Sequence, residues 1–152
     1  MASFVEPVDI IPKIPQDFHT QISSSKWKDR KETLDAVFEV VKVTPRIVDA
    51  DGISDIVRAL ANRMSDANIN VLMVAASVVG ALAKGIGKPF ARFKNIVVPP
   101  MLERLKERKQ SVIDALSAGL DDFFTTASIH LIFSPIRANL MPMLSFRLHF
   151  LT

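Results

Sequence analysis

Apolar residues recur along this chain with a helical period, in blocks separated by short polar breaks. Leu34, Val37, Phe38 and Val41 fall at i, i+3, i+4 and i+7. That spacing predicts a helix opening near Trp27 and running to about Thr44, where Pro45 stops it. Ile53, Ile56, Val57, Leu60 and Met64 form a second stripe, with Asp51 placed to cap it and Asp55, Arg58 and Arg63 outside. After the break Ser65-Asp66-Ala67-Asn68 comes a broad apolar face of Val71, Val74, Ala75, Val78, Val79 and Leu82. No charge occurs from Ile69 to Ala83, so this helix is expected to be buried on most sides, with Gly85, Gly87 and Pro89 ending it. The next block opens near Ile96. An internal proline costs roughly 3 kcal/mol, so Pro99 and Pro100 are expected at its start. Met101, Leu102 and Leu105 face inward, and Glu103, Arg104, Lys106 and Glu107 face out. Arg108-Lys109-Gln110 forms a turn into a last helix built on Val112, Leu116, Leu120 and Phe123, ending near Ala127.

The blocks pair up. Residues 1–16 carry Pro7, Pro12 and Pro15 and read as an extended lead-in. Asp17 is placed to cap a short helix with Phe18 and Ile22 on its inner face, and Ser23-Ser24-Ser25 ends it. Residues 17–129 then hold three helical hairpins. Val71 and Val112 sit at matching places 41 residues apart, and Asp29-Arg30 precedes Val71 by about the same interval. A period of about 40–47 residues marks HEAT-type repeats, in which no hairpin buries its apolar face alone and stacking makes one core. The expected fold is all-α, an antiparallel α-solenoid of about three HEAT-like hairpins.

Composition narrows the functions open to such a stack. The 152 residues suit one domain or part of one, and 49% apolar content supports a core. With no cysteine there is no disulfide framework, thiolate metal site or cysteine nucleophile. The net charge of +3 is too mild for a dedicated nucleic-acid binder and weakly favours acidic partners. Glu6 and Asp9 argue against a signal peptide, and no uncharged apolar run of membrane-spanning length occurs before residue 110. His19, His130 and His149 are too scattered to hold a metal. Asp121 and Asp122 point apart on a helix, and Gly85-Ile86-Gly87-Lys88 lacks the spacing and hydroxyl of a phosphate loop. Glu32, Asp35 and Glu39 make a solvated face. Neither an enzyme nor a cofactor is expected.

Geometry supplies the alternative. Turns within hairpins of a stack emerge on one edge. Here that edge would present Lys26, Trp27 and Lys28, then Asn68 and Ile69, then Arg108 and Lys109. Trp27 is the only tryptophan and sits among charges at a helix start. It either closes the end of the bundle as packing or projects as an aromatic anchor. In the second case the ridge suits an acidic protein surface, with cations steering the encounter and the aromatic carrying affinity.

Three segments along this edge resemble a TOG domain: Lys26-Trp27-Lys28-Asp29-Arg30-Lys31-Glu32, Asp66-Ala67-Asn68-Ile69, and Leu102-Glu103-Arg104-Leu105-Lys106-Glu107-Arg108-Lys109-Gln110-Ser111-Val112. The lead-in from Pro7 to Pro15 is most similar to that of the second TOG in the arrays of microtubule polymerases of the minispindles and ch-TOG type. The resemblance spans about residues 6 to 129. It implies binding of curved αβ-tubulin, mainly β-tubulin, by the turns within hairpins. Trp27 would pack on β-tubulin, Asn68 and Ile69 would extend that contact, and Arg108 and Lys109 would pair with carboxylates. It also implies a place in the cytoplasm on the microtubule cytoskeleton, at plus ends, spindle and centrosome, with no nucleic-acid or membrane partner.

The resemblance stops before residue 130. A TOG domain has six repeats, and three are present. Residues 130–152 are apolar, lack acids and are broken by Pro135 and Pro142. Two other readings stay open: a generic HEAT scaffold for another acidic protein, and a non-functional truncated gene product.

Overall fold

The structure, a computed structural model, describes residues 4–126; the apolar tail at residues 130–152 lies outside them. Six helices follow one another: α1 (Phe18–Gln21), α2 (Trp27–Lys42), α3 (Ile53–Arg63), α4 (Ile69–Ile86), α5 (Lys94–Arg104) and α6 (Gln110–Thr126). They form two layers. α3 packs against α5 in one, and α4 packs between α2 and α6 in the other. The hairpins α3–α4 and α5–α6 join the layers. The fold is all-α and HEAT-like, as the periodicity predicts, and α2, α4 and α6 begin at Trp27, Ile69 and Gln110, 42 and 41 residues apart.

The core follows the apolar stripes. Leu34, Val37, Ile53, Val57, Leu60, Val71, Ala75, Val78, Leu82, Met101 and Leu116 are sealed from solvent. α4 has the length and apolar composition of a membrane span. Its apolar side chains instead meet α2, α3 and α6, and buried Leu72, Ala76 and Ala83 widen the face beyond the predicted stripe. Close approach to α6 depends on glycine: a Cβ on Gly119 would lie 2.7 Å from the Ala76 carbonyl oxygen.

The lead-in is extended as expected but pinned. The Val8 amide donates to the Arg46 carbonyl and the Val48 amide to the Val8 carbonyl, both at 2.9 Å. The Arg46 guanidinium lies over the Phe4 ring. One departure is a single 3-10 turn at Ile11–Lys13. Pro12 sits near its start, where a fixed φ helps and a missing N–H costs nothing.

Four local expectations fail. Asp17 stands at the cap position of α1, as expected, but its side chain makes no capping bond, and Gly52, not Asp51, is the cap residue of α3. Burial of Phe18 and of Ile53 fixes these starts without a cap. Gly85 lies inside α4 rather than ending it, because its bare Cα is where Ile47 packs; a Cβ would meet Ile47 Cδ1 at 2.5 Å. Gly87, at φ 78°, makes the actual stop. Pro99 and Pro100 lie inside α5, which starts five residues earlier, at Lys94. Val97, Val98 and Met101 are fully buried on both sides of the pair, and that burial outweighs the two lost helical bonds.

Candidate functional site

The turns within hairpins share an edge, and a chain of charged hydrogen bonds holds them there. Asp66, in the turn before α4, is its centre, with a side chain only 1% exposed. Its carboxylate accepts from Arg30 on α2 through Nε at 2.8 Å and Nη2 at 2.9 Å. It also accepts from Arg63 Nη1 at 3.1 Å and from the Asn68 amide at 2.8 Å. Arg30 reaches back to the first turn, donating Nη1 to the Ser24 carbonyl at 2.8 Å. From the other side Arg104 of α5 donates to the carbonyls of Met64 and Asp66, at 3.1 and 2.9 Å, and pairs with Glu107 at 2.8 Å. The three turns are thereby one hydrogen-bonded unit.

The electrostatics agree. Burial pushes the Asp66 carboxyl up, but the Arg30 hydrogen bond, the Asn68 amide and the charges of Arg30 and Arg63 outweigh it and hold it below the usual carboxylate range. Arg30, bonded to Asp66, is held still more firmly in its charged form, against the opposing effect of its own burial.

Trp27 opens α2 and is 37% exposed, with Lys26 and Lys28 exposed on either side. It therefore neither closes the core nor stands wholly free. Arg108 and Lys109 are exposed just ahead of α6. None of these four cations has an ion-pair partner among the described residues. The middle of the edge is less free than predicted. Asn68 uses its side chain to accept from the Asn70 amide, capping α4, and Ile69 is half-buried against the core. Gln110, expected in the turn, is the first residue of α6. α2, α4 and α6 all begin at this edge, and Asp29 is the sole acid in their first turns. Their N-terminal dipoles therefore add positive potential to the exposed cations.

Sequence reasoning missed the residues that hold the edge together. Arg104 was expected to face out, yet it turns inward to the neighbouring turn because two carbonyls there lack other donors. Arg63 and Arg104, the last residues of α3 and α5, stand 41 residues apart, one repeat, and this match was the available signal. His19, the one histidine among the described residues, joins no group suited to a metal there.

No family model matches the chain. The spindle pole body component alp14 of Schizosaccharomyces pombe is 38% identical over 125 residues, covering 82% of this chain and 15% of that protein. A chain solved in the structure of tubulin recruitment and assembly by microtubule polymerases with Tumor Overexpressed Gene (TOG) domain arrays aligns with TM-score 0.77 and 38% identity. It covers 84% of this chain and 27% of its own length. A second, solved for microtubule plus end tracking by XMAP215, CLIP-170 and EB1, aligns with TM-score 0.79 at 30% identity over 90% of this chain and 56% of that one. The chain thus spans a minor part of alp14 and about half or less of the two solved chains.

Proposed function

Since the chain belongs to the TOG-domain family of microtubule polymerases, we propose that it binds αβ-tubulin through the edge formed by its turns within hairpins. The observation that carries this reading is a half-exposed indole set among cations with no ion-pair partner among the described residues, on a rim whose backbone is locked. Trp27 packs on β-tubulin, the first turn of α4 at Asn68 and Ile69 extends the contact, and Arg108 and Lys109 meet carboxylates. Lys26 and Lys28 orient the encounter. The relatives supply the partner: one similar solved structure concerns tubulin recruitment and another plus-end tracking.

The mechanism is differential binding. A rigid rim selects the tubulin shape that matches its spacing, and a preference for curved over straight tubulin lets a polymerase deliver dimers to a growing end and release them as they straighten. The working place is the microtubule cytoskeleton, at plus ends, spindle and centrosome. Co-elution with unpolymerised αβ-tubulin tests the proposal. Trp27→Ala should weaken binding about thirtyfold, as for an interface hot spot, and Lys109→Ala should weaken it further. Equal retention of wild type and the double variant would refute it.

A further inference from the structure

The layer made by α1, α3 and α5 carries a second surface, separate from the Trp27 rim. Two clefts flank α3. One, of about 260 Å³, lies toward α1 and is bounded by His19 and Ser23. The other, of about 690 Å³, lies toward α5 and is bounded by Ile96 and Pro100. Arg58, Asn62 and Arg63 line both, so these three side chains form the saddle between them.

The saddle has unused donors. Arg58 and Asn62 are exposed, and among the described residues neither side chain has a hydrogen-bond or ion-pair partner. Asp55, three residues before Arg58, does not pair with it. Arg63 shares Asp66 with the bidentate Arg30, so its charge is only partly offset. The far cleft is also bounded by a proline inside α5. Pro100 has no N–H, so the Ile96 carbonyl four residues back lacks its helical donor. Two guanidinium groups, Arg58 and Arg63, stand against the one carboxylate of Asp55 in the near cleft, and this positive balance beside the wall of Ile96 and Pro100 matches an extended peptide carrying carboxylates.

We propose that this face binds an extended acidic peptide segment, with its carboxylates on Arg58 and Arg63 and its backbone N–H groups toward the Ile96 carbonyl. Neighbouring helices lie about 8–10 Å apart, so crossing from α1 over α3 to α5 takes about six extended residues at roughly 3.3 Å each. The site is distinct from the tubulin contacts proposed for Trp27, Arg108 and Lys109, and meets the rim at Arg63, which lines the saddle and also bonds Asp66.

The test is titration of the isotope-labelled full chain with acetyl-Gly-Ser-Glu-Glu-Ser-Gly-amide, followed by NMR. Shifts should gather on the Arg58 Nε–H, the Asn62 side-chain amide and the backbone of Ile96 to Met101. Arg58→Glu, an exposed change whose folding circular dichroism would verify, should weaken binding at least about tenfold, the loss expected when one charge-assisted contact becomes repulsive. Trp27→Ala should leave the peptide affinity unchanged. Shifts centred on Trp27, equal binding by Arg58→Glu, or equal binding of the peptide with lysines for glutamates would each overturn the proposal.

Discussion

Arg30 and Asp66, 36 residues apart in the chain, meet in a two-pronged contact of 2.8 and 2.9 Å that ties the first turn of the stack to the second. Removing the Asp66 carboxylate leaves Arg30 charged in a largely buried place and the Asn68 amide without its acceptor. Asp66→Ala should therefore destabilise the chain by roughly 3 kcal/mol, measured by urea unfolding at neutral pH.

The same pair predicts a pH dependence. The Asp66 carboxyl is held below its ordinary value in the folded chain. Its contribution is fully present above the unfolded carboxylate pKa of about 3.9 and is lost as pH falls through the lower folded value. Unfolding free energy should drop below about pH 4, and Asp66→Asn should flatten that drop. An identical acid profile in the variant would show that other carboxylates carry it.

Two glycines on facing helices should respond unequally to alanine. At Gly119 the added Cβ meets backbone, the Ala76 carbonyl oxygen at 2.7 Å, and α6 must move away from α4. A cost of about 1–3 kcal/mol follows. At Gly80 the nearest atom is Asp122 Oδ2, also at 2.7 Å, the end of a side chain that can swing aside at the expense of its exposed pairing with Lys84. The Gly119 Cα also lies 3.3 Å away, so helix propensity, worth up to about 1 kcal/mol, offsets only part of the strain and Gly80→Ala should cost less than Gly119→Ala. Thermal unfolding of the two variants distinguishes these outcomes.

Pro99 is exposed inside α5 and deprives the Asn95 carbonyl of its helical donor. Pro99→Ala restores that bond. The gain of roughly 3 kcal/mol is reduced by about 1 kcal/mol for the freer unfolded chain. A net stabilisation near 2 kcal/mol is expected by denaturant titration.

Rim function should separate from stability. Arg108→Glu with Lys109→Glu places acids ahead of α6, where its dipole favours them by about 0.3–1 kcal/mol. The variant should unfold no earlier than wild type yet lose tubulin co-elution. Retained binding would remove these two residues from the interface.

The helices were legible because their apolar residues repeat every three or four positions, and a buried stripe such as Val71, Ala75, Val78 and Leu82 leaves no other period available. The shared edge was legible from the spacing of the breaks. Helix starts were less so: Asp17 and Asp51 look like caps, but burial of the following Phe18 and, one residue further on, of Ile53 decides the boundary. The prolines of α5 misled for the same reason, since propensity is local and the burial of Val97, Val98 and Met101 is not. Arg104 shows the limit most clearly: as one charge among Glu103, Lys106 and Glu107 it reads as solvated, and only its neighbour in space reveals two carbonyls awaiting a donor.

Sequence alone determined the all-helical repeat, its period and the exposed character of the residues around Trp27, because these depend on short-range spacing and on which side chains water tolerates. Tertiary structure decided how the turns are fixed to one another, which glycines permit helix contact and where α5 begins. Those outcomes depend on groups far apart in the chain, whose pairing gains energy only once stacking has excluded water from between them.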